Sequence, residues 1–261
     1  MIRSTTVIIL IFLRVDFLNK IYNEDCLETI KRIPDGSVDL MLTDIPYGVT
    51  VCEWDKLPDL TEMWKHWNRI VKDNGAFIFT CKQPVTTDLI ISNRDNFKYE
   101  MVWFKDRASG FLNANKMPLP NHENILVFYR KQPTYNPQKY NGEKSHSMGK
   151  TANTQSKTKV YGDFIRKENT GDEKLPKTVL YYQQPFPQIH NTQKPVDLFR
   201  YLILTYTNEN EVVFDGYMGS GTTAVASIKE KRQFIGSELK TEYFEVAAKR
   251  IEQELCQPKL F

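Results

Sequence analysis

Four consecutive residues, Asp44-Ile45-Pro46-Tyr47, place a carboxylate, a proline and an aromatic ring just past the apolar run Val38 to Leu42, with Thr43 between. A proline biases the residue before it toward an extended conformation. The Ile45 carbonyl and the Asp44 carboxylate are therefore expected to face one pocket, with the Tyr47 ring beside them. Two acceptors and a flat ring suit a planar base that carries an exocyclic amino group. The plainer reading is turn chemistry at the end of a strand, where Asp, Pro and Tyr are frequent.

A second constellation lies near the other end of the chain. Val212-Val213-Phe214 runs into Asp215-Gly216-Tyr217-Met218-Gly219-Ser220-Gly221-Thr222, followed by a helical stretch Thr223 to Lys229, an apolar run Gln233 to Gly236 and then Glu238. A strand, a glycine loop, a helix, a second strand and an acid at its tip make a nucleotide-binding half-unit. The glycines let a ligand approach the backbone, and the acid is placed to accept hydrogen bonds from ribose hydroxyls. The loop lacks the third glycine of dinucleotide binders. A hydride-transferring enzyme is the competing reading, and it has no use for Asp44 to Tyr47.

The elements that must hold these residues alternate. Ile21 to Leu27 crosses from a strand into a helix ending at Ile33, with Asp25 at the junction, where it either caps the helix or meets a ligand. Val38 to Leu42 reads as a buried strand and Leu60 to Val71 has helical spacing that ends at Asn74-Gly75. A strand over Ala76 to Thr80, a helix from Pro84 through Ile91 and a strand over Tyr99 to Phe104 follow. After a loop at Gly110 to Lys116 comes a strand over Ile125 to Tyr129, and Val196 to Tyr206 and Glu242 to Leu255 read as helices. Strand and helix in turn imply an α/β fold with a doubly wound, mostly parallel sheet, whose ligands sit beyond the carboxyl ends of the strands.

Composition sets the limits. A chain of 261 residues suits one large α/β domain, or one with an inserted module. Residues 105–194 hold 15 Lys and Arg against 7 Asp and Glu, while the rest of the chain holds 20 against 25, so the middle is basic and the flanks acidic. Between Thr134 and Lys177 aliphatics are scarce, and Tyr135, Tyr140, Tyr161 and Phe164 interleave with the cations. Lysines suit phosphates and rings suit bases, which points to nucleic acid; a solvated lysine-rich loop is the alternative. The four cysteines, Cys26, Cys52, Cys81 and Cys256, show no metal-ligand spacing and no disulfide framework, consistent with a reducing compartment. The apolar run Val7 to Phe12 is too short to cross a bilayer, and no small-residue cleavage site follows it. Met1 to Leu18 is either a leading strand or an over-long start.

Taken together, Asp25-Cys26-Leu27, Asp44-Ile45-Pro46-Tyr47, His122 to Tyr129, Asn191-Thr192-Gln193-Lys194-Pro195, Asp215 to Thr223 and Glu238 resemble, in order, the motifs of the β-class DNA amino-methyltransferases, the N6-adenine and N4-cytosine enzymes of bacteria and phages. Ile45 stands where the family has a proline, and Gly216 where it usually has one. The resemblance implies a Rossmann-like methyltransferase fold with permuted motif order and an inserted basic recognition region. Residues 1–18 would be an extension, 19–104 the catalytic half, 105–190 the target-recognition region with a central strand near 122–130, and 191–261 the cofactor half.

The resemblance also implies S-adenosyl-L-methionine as cofactor, with Asp25 and Cys26 at its adenine, Glu238 at its ribose, and Asp215, Gly219, Ser220, Gly221 and Thr222 at its methionine end. Thr192, Gln193, Lys194 and Pro195 would close that pocket, and Asp44, Ile45, Pro46 and Tyr47 would hold the target base; no metal is implied. Transfer to adenine N6 in double-stranded DNA is the expectation, because the family's cytosine members more often begin the motif with serine. An N4-cytosine enzyme and a catalytically silent nucleic-acid-binding relative are the alternatives. The expected setting is cytoplasmic, with no membrane partner, and a cognate restriction endonuclease and a homodimer are left open. All of this requires the loops near residues 45 and 220 to meet at one rim of one sheet.

Overall fold

The computed structural model describes residues 17–48, 56–143, 155–158, 162–165, 172–187 and 193–256. The first part of the chain forms β1 (Lys20–Tyr22), α1 (Cys26–Arg32), β2 (Val38–Thr43), α2 (Leu60–Ile70), β3 (Val71–Cys81), α3 (Val85–Ser92), β4 (Phe97–Phe104) and β5 (His122–Phe128). Four short strands follow: β6 (Tyr140–Asn141), β7 (Gln155–Thr158), β8 (Gly162–Ile165) and β9 (Glu173–Lys174). The last part forms β10 (Val179–Tyr181), α4 (Val196–Tyr206), β11 (Val212–Asp215), α5 (Thr222–Lys229), β12 (Gln233–Ser237) and α6 (Thr241–Cys256). Two compact units result, Met1–Asn136 with Thr178–Phe261, and Pro137–Lys177.

The first unit carries one sheet in the order β1-β12-β11-β2-β3-β5-β4-β10. All of its pairings are parallel except those of β5, which runs antiparallel to both β3 and β4. β2 and β11 lie side by side, with Val213 opposite Leu40 and Phe214 opposite Met41. The chain leaves β2 toward β3 on one side and leaves β11 toward β12 on the other. That divergence is a topological switch point, where the loops at the strand ends part and leave a crevice.

Both faces of the sheet are covered, so its central strands are mostly apolar, and every position of β2 is buried. On one face Met41, Phe77, Phe79 and Phe128 pack with Ile30 of α1, Trp64 and Trp67 of α2 and Leu89 of α3. On the other, Leu40, Leu42, Ile78 and Val127 pack with Leu198, Leu202 and Ile203 of α4 and Ala226 of α5. α6 closes the β12 end through Ala247 and Ile251 against Phe234 and Met218. Among the described residues no helix is long and apolar enough to cross a membrane.

Two local differences from the sequence reading have physical causes. Helical spacing runs on to Val71, yet α2 ends at Ile70, because buried Val71 is recruited as the strand partner of Val38. Ladder pairing then resumes at Leu40 and Ala76, so β3 begins earlier than its apolar stretch. β10 was not anticipated: it has three residues, and only Leu180 among them is buried, too few for a periodic signal. It adds a parallel edge strand to β4.

Of the basic stretch 105–190, β5 and β10 thus belong to the main sheet, and only Pro137–Lys177 forms a separate unit. In that unit β6 pairs with β9 and β7 with β8, both antiparallel, and Lys139 forms an ion pair with Glu173 at 2.8 Å. Tyr140 is exposed there. Tyr161 and the Phe164 side chain lie outside the described residues, as do residues 1–16.

Candidate active site

β2 and β11 deliver the two constellations to the same rim. Thr43, the last residue of β2, donates its hydroxyl to Asp215 Oδ1 at 2.7 Å, so the residue before Asp44 touches the acid that opens the glycine loop. Asp44, Ile45, Pro46 and Tyr47 line one cleft together with Asp25, Cys26, Gln193, Lys194, Asp215, Gly219, Ser220, Thr222 and Glu238. Its empty volume, solvent at the mouth included, is about 1080 Å³. Pro195 and Gly221 stand outside its lining. Pro195 caps α4 and Gly221 starts α5 in the left-handed region, so both shape the wall from behind. Thr192 lies outside the described residues.

At the Asp44 end the chemistry is ionic. Asp44 Oδ1 accepts from the Tyr47 hydroxyl and, at 2.7 Å, from the Thr80 hydroxyl, while Oδ2 accepts from the Lys194 ammonium. Lys194 also lies 3.3 Å from Glu123 Oε2, and Glu123 Oε1 meets Lys105 and, at 3.3 Å, Lys82. Lys194, Glu123 and Lys105 are all buried. Burial alone would lower the Lys194 ammonium, but Asp44 and then Glu123 outweigh it and hold its pKa well above the ordinary amine value. Burial would likewise raise the Glu123 carboxyl, and Lys194, Lys105 and Lys82 overcome that to keep it far below its ordinary range. For half-buried Tyr47, burial and then the Asp44 charge push the phenol up, so its hydroxyl stays protonated as a donor. The Ile45 side chain, in the family's proline position, turns into the core and is 1% exposed.

At the other end the contacts are mostly to backbone. Glu238 accepts from the Gly219 N–H at 2.8 Å and the Lys240 N–H at 2.9 Å. Each bond uses one site on one oxygen, which leaves acceptor capacity for hydroxyl donors. Asp215 accepts from Thr43, the Thr223 hydroxyl and the Tyr217 N–H, and burial raises its pKa to about 6 despite those donors. Arg250 of α6 donates to the carbonyl and hydroxyl oxygens of Ser220, fixing the loop. Asp25 caps α1 by accepting from the Leu27 N–H at 2.8 Å while still lining the cleft, so the two readings of this residue are compatible. Cys26 is buried with its sulfur 3.5 Å from the Tyr217 hydroxyl, and burial lifts its thiol to about 11. Gly216 packs closely: a side-chain carbon there would sit 3.1 Å from Cys26 Cβ, so Cys26 would have to give by a few tenths of an ångström.

The fit to a nucleoside with a cationic amino-acid tail rests on this donor set. Two carboxylates stand at one end, a loop with backbone amides between them, and around Gly219 there is open space on the side where a Cβ would lie. Thr80, Glu123 and Lys105 were not singled out by sequence reasoning. Glu123 sits inside the recognised strand His122 to Tyr129, but a charge at the start of a strand says nothing about which distant lysines it will meet.

A family model described as DNA methylase, of the N6/N4 methyltransferases, matches residues 38–249. The chain is 30% identical over 256 residues to the type II methyltransferase M.BglII of Bacillus subtilis, covering 88% of this chain and 68% of that protein. It is 27% identical over 252 residues to the DNA adenine methyltransferase YhdJ of Escherichia coli (strain K12), covering 89% and 82%. Among solved structures, the cytosine-N4-specific PvuII DNA methyltransferase superposes with a TM-score of 0.63 over 93% of this chain and 87% of that one, at 18% identity. That last likeness is one of fold.

Proposed function

The chain belongs to the N6/N4 DNA methylase family, and from that membership we propose that it methylates the exocyclic N6 of adenine in duplex DNA, taking the methyl group from S-adenosyl-L-methionine. The observation that carries this reading is the bond between Thr43 and Asp215, which joins the root of the Asp44 loop to the root of the glycine loop. When bound, the cofactor supplies an electrophilic methyl group on a sulfonium centre. Asp25 would hold its adenine, Glu238 its ribose, and Asp215 with Gly219 to Thr222 its methionine end, with Gln193 and the Lys194 backbone alongside.

An amino nitrogen on adenine is a poor nucleophile because its lone pair is delocalised into the ring. With the Asp44 carboxylate and the Ile45 carbonyl each accepting one of its protons, the nitrogen is drawn toward tetrahedral geometry and its lone pair is freed. Positioning and electrostatics then supply most of the rate. Asp44 removes no proton beforehand, since the neutral amine is too weak an acid; it takes the proton once the nitrogen is cationic. A base inside a duplex cannot reach Asp44, so it is flipped out and laid against Tyr47. In this scheme residues 19–104 and 191–261 form the catalytic and cofactor halves, and residues 105–190 carry target recognition, their cations meeting phosphates.

Transfer of labelled methyl from S-adenosylmethionine to DNA, run beside RNA and followed by nucleoside analysis, is the deciding experiment. N6-methyladenine in DNA is the expected product. The fold likeness to a cytosine-N4 enzyme favours N4-methylcytosine as the second reading, and its appearance would replace the first. Label in neither nucleic acid would sink both.

A further inference from the structure

We propose that Lys194 is a two-position positioning residue: its ammonium holds Asp44 while the site is empty and shifts onto Glu123 when the target base arrives, leaving Asp44 to the base amine. This rests on the methyltransferase reading of Asp44. The argument starts from acceptor capacity. A carboxylate offers about four acceptor sites, and in this structure Asp44 already serves Tyr47, Thr80 and Lys194. The ammonium does more than fill a site. It offsets the negative charge that should draw the amine protons, and it stands beside a nitrogen that becomes cationic in the reaction. A fixed cation there opposes the charge that develops in the transition state.

Glu123 supplies the alternative position. Among the described residues its Oε2 atom has no hydrogen-bond partner, although it is buried and lies only 3.3 Å from Lys194 Nζ. A short swing of the flexible lysine stem closes that gap to a hydrogen bond. Two features make the shift inexpensive. The ammonium passes from one carboxylate to another without becoming an unpaired buried charge. Glu123 keeps Lys105 and Lys82 on its other oxygen in either state, and Asp44 keeps Tyr47 and Thr80. The root of the lysine stays in place, because its backbone carbonyl accepts from Thr222 on the cofactor side at 3.4 Å. Glu123 thus stands ready as a second partner: it is already within ion-pair distance of Lys194, and Oε2 is the oxygen not taken by Lys105 and Lys82.

The test is a double-mutant cycle on the full-length enzyme, reading single-turnover methyl transfer to DNA together with cofactor affinity. Glu123→Gln keeps the shape and removes the charge that receives the lysine, so the rate should fall about 10- to 100-fold while cofactor affinity and the KM for DNA stay within about threefold. In a Lys194→Met background the same Glu123→Gln change should alter the rate by less than about threefold, since its effect runs through the lysine. An unchanged rate in Glu123→Gln, equal losses in both backgrounds, or a parallel loss of cofactor affinity would each overturn the proposal. Should the variants not fold, a structure of the wild-type enzyme with S-adenosylhomocysteine and a duplex bearing its methylation site decides: Lys194 on Glu123 supports the shift, and Lys194 still on Asp44 ends it. Wild-type protein that methylates no DNA removes the parent reading and this one with it, an outcome distinct from an active enzyme indifferent to position 123.

Discussion

At the Glu238 end of the cleft many contacts join residues within one short segment: Tyr217 to Asp215, Thr223 to Asp215, Lys240 to Glu238. At the Asp44 end the ionic contacts of Lys194 with Asp44 and Glu123, and the bond from Thr80 to Asp44, run between residues far apart in sequence. One end is a loop that organises its own backbone, and the other is a set of charges that exists only once the sheet has formed. Binding and chemistry are expected to separate along the same line. Changes near Glu238 and Gly221 should act on cofactor affinity and stability, and changes near Asp44 on rate.

The largest effect tests the chemical end. Asp44→Ala should lower methyl transfer by at least about 10³-fold, the scale on which loss of a key transition-state contact is felt, while cofactor affinity stays within about threefold. Cofactor titration beside single-turnover kinetics reads both, and an equal loss of each would erase the division between the ends. Gly221→Ala tests the binding end. Gly221 sits at φ +82°, and an added Cβ would lie 3.0 Å from Ala247 Cβ and 3.1 Å from its Cα. Left-handed strain and a contact with α6 should together cost about 2–4 kcal/mol, seen as a lower thermal midpoint and weaker cofactor binding. At saturating cofactor the rate should be close to normal; a rate loss as deep as that of Asp44→Ala would contradict the comparison.

What could be read from the chain follows this same division. Asp215, Gly219 and Glu238 were legible because a strand, a glycine turn, a helix and a strand tip fall within 24 consecutive residues, 215–238, and each element carries its own local signal. The meeting of the Asp44 and Asp215 loops was legible from parallel-sheet logic, and β2 beside β11 is its physical form. Thr80 and Glu123 were not, because what matters is their register: Thr80 pairs with Ile125 and Cys81 with Asn124 across the antiparallel β3–β5 ladder, which brings the start of β5 to the rim that carries Asp44. An antiparallel strand inside a mostly parallel sheet leaves no mark in composition. The placement of the Lys194 side chain was obscured for a related reason. Its motif sits on the cofactor side, but its side chain reaches across to Asp44.

A pH experiment sharpens the boundary between the ends, since Asp215 belongs to both. Its pKa is raised to about 6 by burial, against an ordinary value near 4. A carboxyl raised on folding favours the folded state fully below about pH 4, and that contribution is lost as pH rises through about 6. The stability of the wild type relative to Asp215→Asn should therefore fall by on the order of 3 kcal/mol between pH 4 and pH 7. Denaturant melts of both proteins at the two pH values measure it, and groups shared by the two proteins cancel in the difference. A flat difference would mean that Thr43, Thr223 and Tyr217 stabilise the ionised carboxylate as well as water does.

The smallest effect is the most discriminating. Thr80 is fully buried on β3, and its hydroxyl gives Asp44 Oδ1 a bond of 2.7 Å. Thr80→Val preserves shape and strand preference and deletes that one donor, so stability should move by less than about 1 kcal/mol. Asp44 would keep Tyr47 and Lys194 but lose part of what fixes its rotation, and the methyl-transfer rate should fall about 3- to 10-fold, the kinetic equivalent of one modest hydrogen bond. Cofactor affinity should not change, because among the described residues no bond from Thr80 reaches the glycine loop. If affinity fell with the rate, the two ends would be mechanically joined through Asp44, and Thr43, which touches Asp215 from the same loop, would be the residue that joins them.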